Sequence, residues 1–390
     1  MSDPSKSART LTVHRLGRVE YADGLKLQQL QSQALGEGLV GDGLLLLEHP
    51  PVFTFGRSAK AENLLRSTAQ LEAQGFRTFE TARGGDVTYH GPGQLVGYPI
   101  LELEGDRRDV RRYVRGLEEV LIRTLADVGV KAFREPRWPG VWTERGGALE
   151  KVAALGVHIA KWRTGHGFAL NLDPNLSHFD LIVPCGIREA GVTSVARLLG
   201  RKIDRSEVEP SLVRHFAEVF EYPRVARPAP MLQTVSVTVV ARSSTPPKPE
   251  LSSEPRVLCL HRIAERGGFW QLVTGKIEAG ETASAAALRE LYEETGRALP
   301  VRDLGYRHAF ALGDALPPQI VEETAFAAEW NAVSEPALDP REHDQYDWVS
   351  PPEALARLPF EGLREAVRRA VGNHAENEEI PAHSGSARRE

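Results

Sequence analysis

Only two cysteines, Cys185 and Cys259, occur in 390 residues, so no disulfide framework and no multi-cysteine metal site can be built. Long apolar runs are missing as well. The longest pure leucine run, Leu44 to Leu47, is far too short to span a bilayer, and the polar segment Met1 to Thr10 lacks the apolar core of a signal peptide. A cytoplasmic protein without a membrane partner is expected. A strong charge of one sign is absent too: the formal charge is -5, with 31 basic against 28 acidic residues in 1–229 and 17 against 25 in 230–390. Neither half is basic enough to bind a nucleic-acid polymer through its phosphates, and the acidic half needs a cation to hold a polyphosphate.

What is present is an ordinary globular composition, 41% hydrophobic and 26% charged, in a chain long enough for two cores. Strand-like and helical runs alternate, so the fold class expected is α/β (α+β). Leu44 to Glu48, stopped by Pro50 and Pro51, reads as a buried strand. Val110, Val114, Leu117, Leu121 and Leu125 recur at helical spacing and predict an amphipathic helix. Val152 to Ile159 and Gly167 to Leu172 read as two strands joined by a polar turn at Trp162 to Gly165. Pro223, Pro228 and Pro230 mark a linker over 223–230. The boundaries expected are a flexible N-terminus over 1–10, a first domain over 11–222, a second over 231–372 and a disordered tail over 373–390. Within the second domain, Ser243 to Pro255 is Ser/Pro-rich and reads as an exposed loop.

The densest chemistry of the first domain is a glycine-rich segment, Arg83-Gly84-Gly85-Asp86-Val87-Thr88-Tyr89-His90, continuing to Gln94. Alone it is either a tight surface turn or a place where backbone meets a ligand. Cys185, between Pro184 and Gly186, sits at a turn where a thiol can be reached. Cys259 alternates within a strand and is expected to face a core. A lone cysteine is most often a small core residue, and it acts as a nucleophile only where a neighbouring cation favours the thiolate. Lys151 is the candidate cation.

These segments together resemble the lipoyl(octanoyl)transferases, which share a fold with lipoate and biotin protein ligases; the resemblance spans about residues 11–222. It implies that Arg83 to His90 line an acyl and pantetheine cleft, with Ala154, Leu155, Gly156, Gly167, Phe168 and Ala169 on the acyl chain. Lys151 is implied to lower the nucleophile's pKa, and Cys185 to accept the acyl group. The activity implied is transfer of octanoyl from octanoyl-acyl carrier protein to a lysine of an apo lipoyl domain, as in the glycine cleavage H protein or a 2-oxoacid dehydrogenase E2. It runs through a cysteine thioester and needs no cofactor. The rival is an ATP-dependent lipoate or biotin ligase, which needs no cysteine nucleophile. His90 is left open between orienting the substrate or Lys151 and a structural role.

In the second domain, Gly275, Glu281, Arg289, Glu290, Leu291, Glu293, Glu294 and Gly296 fall at fixed spacing. On a helix from about Thr282 to Thr295 the carboxylates of Glu290, Glu293 and Glu294 share one face, while Leu288 and Tyr292 point away. Clustered carboxylates repel unless cations sit among them, and hard oxygen donors suit Mg²⁺ or Mn²⁺. The eight positions are similar to the Nudix box. That resemblance implies an α/β/α sandwich, a metal held by Glu290, Glu293 and Glu294, support from Gly275, Glu281, Arg289 and Gly296, and hydrolysis of a nucleoside or pterin polyphosphate. Lys276 and Arg297 depart from the usual box. Glu342 is left open as a base, a further ligand or a loop acid. A rival role for this domain is a nucleotide-sensing binding module.

Overall fold

The computed structural model describes residues 9–187, 189–241, 254–331 and 333–372. The tail over 373–390, residues 1–8 of the expected N-terminal segment and nearly all of the Ser/Pro segment lie outside the described residues. The chain divides into two compact units, 1–231 with 308–321, and 232–307 with 322–390. The segment 308–321 thus clusters with the first unit, although the sequence reading assigned it to the second domain.

The first unit is built on a mixed sheet, of nine strands among the described residues. Its order runs Arg224–Ala226, Thr10–Arg18, Gly43–Glu48, Gln94–Ile100, Arg163–Asn171, Ala148–Ala160, Trp138–Arg145, Phe133–Glu135, with Gly191–Val192 beside Ala148–Ala160. Both faces are covered. Leu44 and Leu46 enter the core beneath helices Val110–Asp127 and Arg205–Val219, while Leu45 and Leu47 face the core formed with helix Tyr21–Gly36. Burial on both faces is why that strand reads as a continuous leucine run instead of an alternation. A small sheet, Arg77–Glu80, Val52–Phe55 and Val87–His90, carries its own aromatic core.

Two boundaries differ from expectation. Arg224–Ala226, read as linker, pairs in parallel with Thr10 to Thr12 at the sheet edge, because proline confines a segment to an edge without preventing pairing from the neighbouring residues. At the N-terminus Thr10 already belongs to a strand, and Arg9 is fixed by the Phe220 carbonyl (2.9 Å), the Asp42 carboxylate (3.0 Å) and the Tyr222 ring. In the helix Val110–Asp127, the buried face runs through Tyr113, Leu117, Val120, Leu121 and Leu125, and Val110 is 46% exposed. The hairpin is also tighter than expected: strands Ala148–Ala160 and Arg163–Asn171 meet at Lys161-Trp162, both at positive φ, as a two-residue turn demands.

The second unit is a sandwich around the sheet order Trp270–Gln271, Arg256–Arg262, Leu232–Ala241, Ile320–Trp330, Val301–Ala311, with Val273–Lys276 and His343–Val349 pairing alongside. Val235, Val237 and Val239 pack against Ala286, Ala287 and Leu291 of helix Ala283–Thr295. Their neighbour Val240 faces the opposite core, closed by helices Pro351–Arg357 and Glu361–Val371. Cys259 lies in that second core, fully buried, and burial pushes its thiol up to about 12. It is a core residue, not a nucleophile.

Candidate active sites

In the first unit, the hairpin and the glycine-rich segment meet along a narrow slot with a cavity volume of ≈ 40 Å³. Its walls are Ala154, Leu155, Gly156, Gly167, Phe168 and Ala169 on one side and Arg83, Gly85, Asp86, Thr88 and His90 on the other. Backbone proximity joins them: the Gly84 N–H donates to the Val157 carbonyl (2.9 Å), and a Cβ on Gly156 would come within 3.1 Å of the Gly84 oxygen. Arg83 is buried, its guanidinium donating to the Thr54 carbonyl (2.6 Å), the Thr54 hydroxyl (2.8 Å) and the Gly84 carbonyl (3.1 Å). Val87 and Tyr89 do not line the slot. The pleat turns them the other way, into the core with Phe53, Phe76 and Phe179, where the Tyr89 hydroxyl meets His178 Nδ1 at 2.7 Å. Reading the segment as one lining overlooked this alternation.

Asp86 braces the loops near the slot. Its carboxylate accepts from the backbone N–H groups of Val87 (2.7 Å) and Lys60 (3.1 Å) and from the Asn63 amide (2.5 Å). The Asn63 backbone carbonyl accepts the Val183 N–H at 2.8 Å, and a Cβ on Gly186 would come within 3.0 Å of the Asp86 carboxylate and 3.2 Å of the Asn63 amide. Between Val183 and Gly186 runs the 3-10 turn Pro184–Gly186, which carries Cys185. Sequence reasoning missed Asn63, whose role depends on a contact across 120 residues.

Lys151 stands on strand Ala148–Ala160, 6% exposed, with Nζ 4.6 Å from the centre of the Trp142 ring, a cation over a π face. Strand Gly191–Val192 lies parallel to it, Val192 in register with Lys151, and the Thr193 N–H donates to the Lys151 carbonyl (3.0 Å). The Cys185 turn lies five residues before that strand in the chain.

The slot is polar but uncharged on its histidine side. His49 Nδ1 donates to the Val19 carbonyl (2.7 Å), which leaves Nε2 to accept from the Tyr98 hydroxyl (2.7 Å). His90 Nδ1 donates to Gln94 Oε1 (3.2 Å), because the Gln94 amide donates to the Tyr89 carbonyl and Asn171 Oδ1. Its Nε2 is therefore an acceptor. Burial holds His49 and His166 down at about 4 and His90 well below the usual histidine range, the charge of Arg83 lowering His90 and His166 further. All three imidazoles are neutral at pH 7.

In the second unit, Thr282 caps the helix Ala283–Thr295 by accepting the Ala285 N–H, and Gly296, at φ 70, closes it. Arg289 organises the acids. It donates to Glu281 (3.0 and 3.1 Å), Glu290 (2.7 Å), Glu293 (3.1 Å) and the Lys276 carbonyl (2.8 Å). Gly275 is a glycine because the Glu290 carboxylate occupies its open side: a Cβ there would fall 1.7 Å from Glu290 Cδ. Arg297 lies over the Trp330 ring at 5.2 Å, which accommodates that departure from the box. Glu294 is 3% exposed, and neither of its oxygens makes a hydrogen bond of ordinary geometry. Burial, then the charges of Glu290 and Glu342, raise its pKa well above the usual range; burial also raises Glu290. Glu342 pairs with Arg266 at 2.9 Å. Among the described residues, no three His, Cys, Asp or Glu side chains converge on one ion-sized point, since Glu290 and Glu293 are turned to Arg289. The donor set nevertheless fits a hard cation: all three glutamates offer oxygen, and the buried Glu294, whose oxygens lack an ordinary hydrogen bond, is a group whose ionised form a cation would favour.

Residues 20–217 match the lipoyl protein ligase A/B catalytic domain family and residues 237–370 the NUDIX domain family. The chain is 57% identical over 364 residues to an octanoyltransferase of Myxococcus xanthus, covering 93% of this chain and 99% of the relative. The chain belongs to the octanoyltransferase family. A second octanoyltransferase, from Solibacter usitatus, is 49% identical over 55% of this chain and 94% of its own length, a match confined to about one domain's length. Among solved structures, an E. coli dihydroneopterin triphosphate pyrophosphohydrolase is similar over 35% of this chain and 94% of its own, at 28% identity and a TM-score of 0.29. The chain is thus an octanoyltransferase with a C-terminal Nudix domain, a class that generally uses divalent metal ions. Among the described residues, no helix is long and apolar enough to cross a membrane.

Proposed function

We propose that the first unit transfers octanoyl in two steps through Cys185, with octanoyl-acyl carrier protein as donor and a lysine of an apo lipoyl domain as acceptor. The observation that supports this reading is the pairing of Val192 with Lys151, in a strand that begins five residues after the Cys185 turn. In the first step the Cys185 thiolate bonds to the thioester carbonyl carbon, the carrier's sulfur leaves, and Lys151 supplies the proton it takes up. In the second, the acceptor amine bonds to the same carbon, Cys185 leaves as thiolate, and Lys151 recovers a proton from the amine. Backbone N–H groups at the glycine turns are suited to stabilise the oxyanion. Ala154, Gly156, Gly167 and Ala169, all without bulky side chains, leave room for an alkyl chain beside them. His90, held with Nε2 as an acceptor, orients substrate.

The second unit is proposed to cleave a nucleoside or pterin polyphosphate, with Glu290, Glu293 and Glu294 holding Mg²⁺ or Mn²⁺. Such an ion would neutralise the diphosphate and activate water. Arg289 keeps Glu281, Glu290 and Glu293 together until it is bound. The location of both activities is proposed to be the cytoplasm.

The test is transfer to an isolated apo lipoyl domain, followed by mass. The expected result is octanoylation from octanoyl-acyl carrier protein without ATP and none from octanoate with ATP. The reverse pattern would make the first unit an adenylating ligase. For the second unit, a chelator is expected to abolish release of pyrophosphate from dihydroneopterin triphosphate or a deoxynucleoside triphosphate without slowing acyl transfer.

A further inference from the structure

The slot does not end in a wall of core side chains. Along strand Ala148–Ala160 the face bearing Ala154 and Gly156 continues through His158 and Ala160, which line a separate open groove of ≈ 530 Å³. The other side of the groove is helix Tyr21–Gly36, through Gln28, Gln29, Ser32 and Gln33. Slot and groove lie end to end, and His166 is the residue that lines both. The order along the strand is therefore Lys151, slot, His166, groove. The groove opens at the end of the slot remote from Lys151, which on the proposed reading is where the tail of an acyl chain points.

His166 is held there by an unusual backbone. Its register partner is Val157, which packs in the core on the opposite face, so a regular pleat would send the imidazole to that face. Instead His166 has φ 53, its ring meets Tyr98 edge-on at 6.1 Å, and it is only 7% exposed. A left-handed histidine in the middle of a strand is an uncommon state that its surroundings must enforce. Gln28 enforces it: Oε1 accepts the His166 N–H at 2.6 Å, while the Gln28 Nε2 is buried without a hydrogen-bond partner. The strained residue and its clamp together form the partition between a cavity of ≈ 40 Å³ and one more than ten times larger.

We propose that His166, locked by Gln28, is the chain-length stop of the acyl slot, and that the groove behind it receives the tail of longer acyl chains once the partition is removed. This rests on the reading of the slot as the acyl site. The groove is lined by Leu25 and Ala160 and by glutamines whose side chains carry methylene stems, so an alkyl tail passing His166 meets apolar surface.

The experiment compares octanoyl- and tetradecanoyl-acyl carrier protein as donors to the full-length protein, reading the ratio of kcat/KM for the two. Wild type is expected to favour octanoyl. H166G, whose glycine adopts the left-handed backbone without strain, is expected to raise the tetradecanoyl-to-octanoyl ratio roughly tenfold or more, the scale at which apolar pockets discriminate chain length. Q28A, which releases the clamp from the helix side, is expected to raise it in the same direction and carries the test if H166G fails to fold. Adding Ser32→Trp to either variant blocks the groove and is expected to cancel the gain. An unchanged ratio in folded H166G or Q28A overturns the proposal, as does a gain that survives Ser32→Trp. Absence of octanoyl transfer by wild type would remove the acyl-site reading itself, an outcome distinct from an unchanged ratio.

Discussion

Val192 lies in parallel register with Lys151, and the short strand it belongs to begins five residues after the turn Pro184–Gly186 that carries Cys185. Residues 41 positions apart in the chain, Lys151 and Val192, are thereby tied side by side in one sheet. Replacing Lys151 by Ala is expected to lower octanoyl transfer about a hundredfold or more, the usual range for a general acid and base. The decisive readout is the pH profile of single-turnover acyl transfer, whose limbs should change in K151A; a lower rate with an unaltered profile would assign Lys151 a packing role under Trp142.

Asp86 is predicted to matter through position. D86A leaves the Val87 and Lys60 N–H groups and the Asn63 side-chain amide without their acceptor. A loss of about 2 kcal/mol in stability is expected, the scale of buried donors left unpaired, together with slower enzyme acylation. Urea unfolding and single-turnover acylation measure the two separately. N63A should slow acylation in the same way, since it removes the amide that donates to the Asp86 carboxylate.

Gly275 is predicted to be intolerant of any side chain. In G275A the new methyl takes the space of the Glu290 carboxylate, so Glu290 must leave Arg289. Polyphosphate hydrolysis should fall about a hundredfold, as expected for displacing a catalytic group by an ångström or more, while octanoyl transfer by the same preparation remains. Equal loss of both activities would indicate misfolding.

Glu323 supplies a pH dependence. Burial raises its pKa to about 7, against a smaller opposing effect of the Ser236 hydroxyl. In the unfolded chain the group ionises near the ordinary carboxylate value, so its favourable contribution is complete below about 4.5 and is lost as pH rises through about 7. The size of the loss is on the order of 3 kcal/mol by the same relation. E323Q should therefore flatten the decline in stability of the second unit between pH 5 and pH 8, measured by denaturant melts. A decline of the same slope in E323Q would contradict the assignment.

Much of this was legible in the sequence, and the reasons are local. The two-faced leucine strand, the capped Nudix helix and buried Cys259 follow from periodicity and flanking residues, which act within a few positions. The division of Arg83 to His90 into slot-facing and core-facing residues was implicit in strand alternation but hidden by the glycines before it. Arg224–Ala226 read as linker because its partner strand begins at Thr10, more than two hundred residues away. Asn63, the left-handed His166 and its Gln28 clamp depend on contacts across the fold, and no spacing in the chain encodes them.

The central claim is a covalent octanoyl-enzyme at Cys185. Intact mass spectrometry of wild type and C185A, each mixed with octanoyl-acyl carrier protein in the absence of ATP, tests it directly. One octanoyl adduct on wild type, absent from C185A and discharged by an apo lipoyl domain, is the predicted result. An adduct that persists in C185A, or transfer to the lipoyl domain with no adduct on Cys185, would contradict the account.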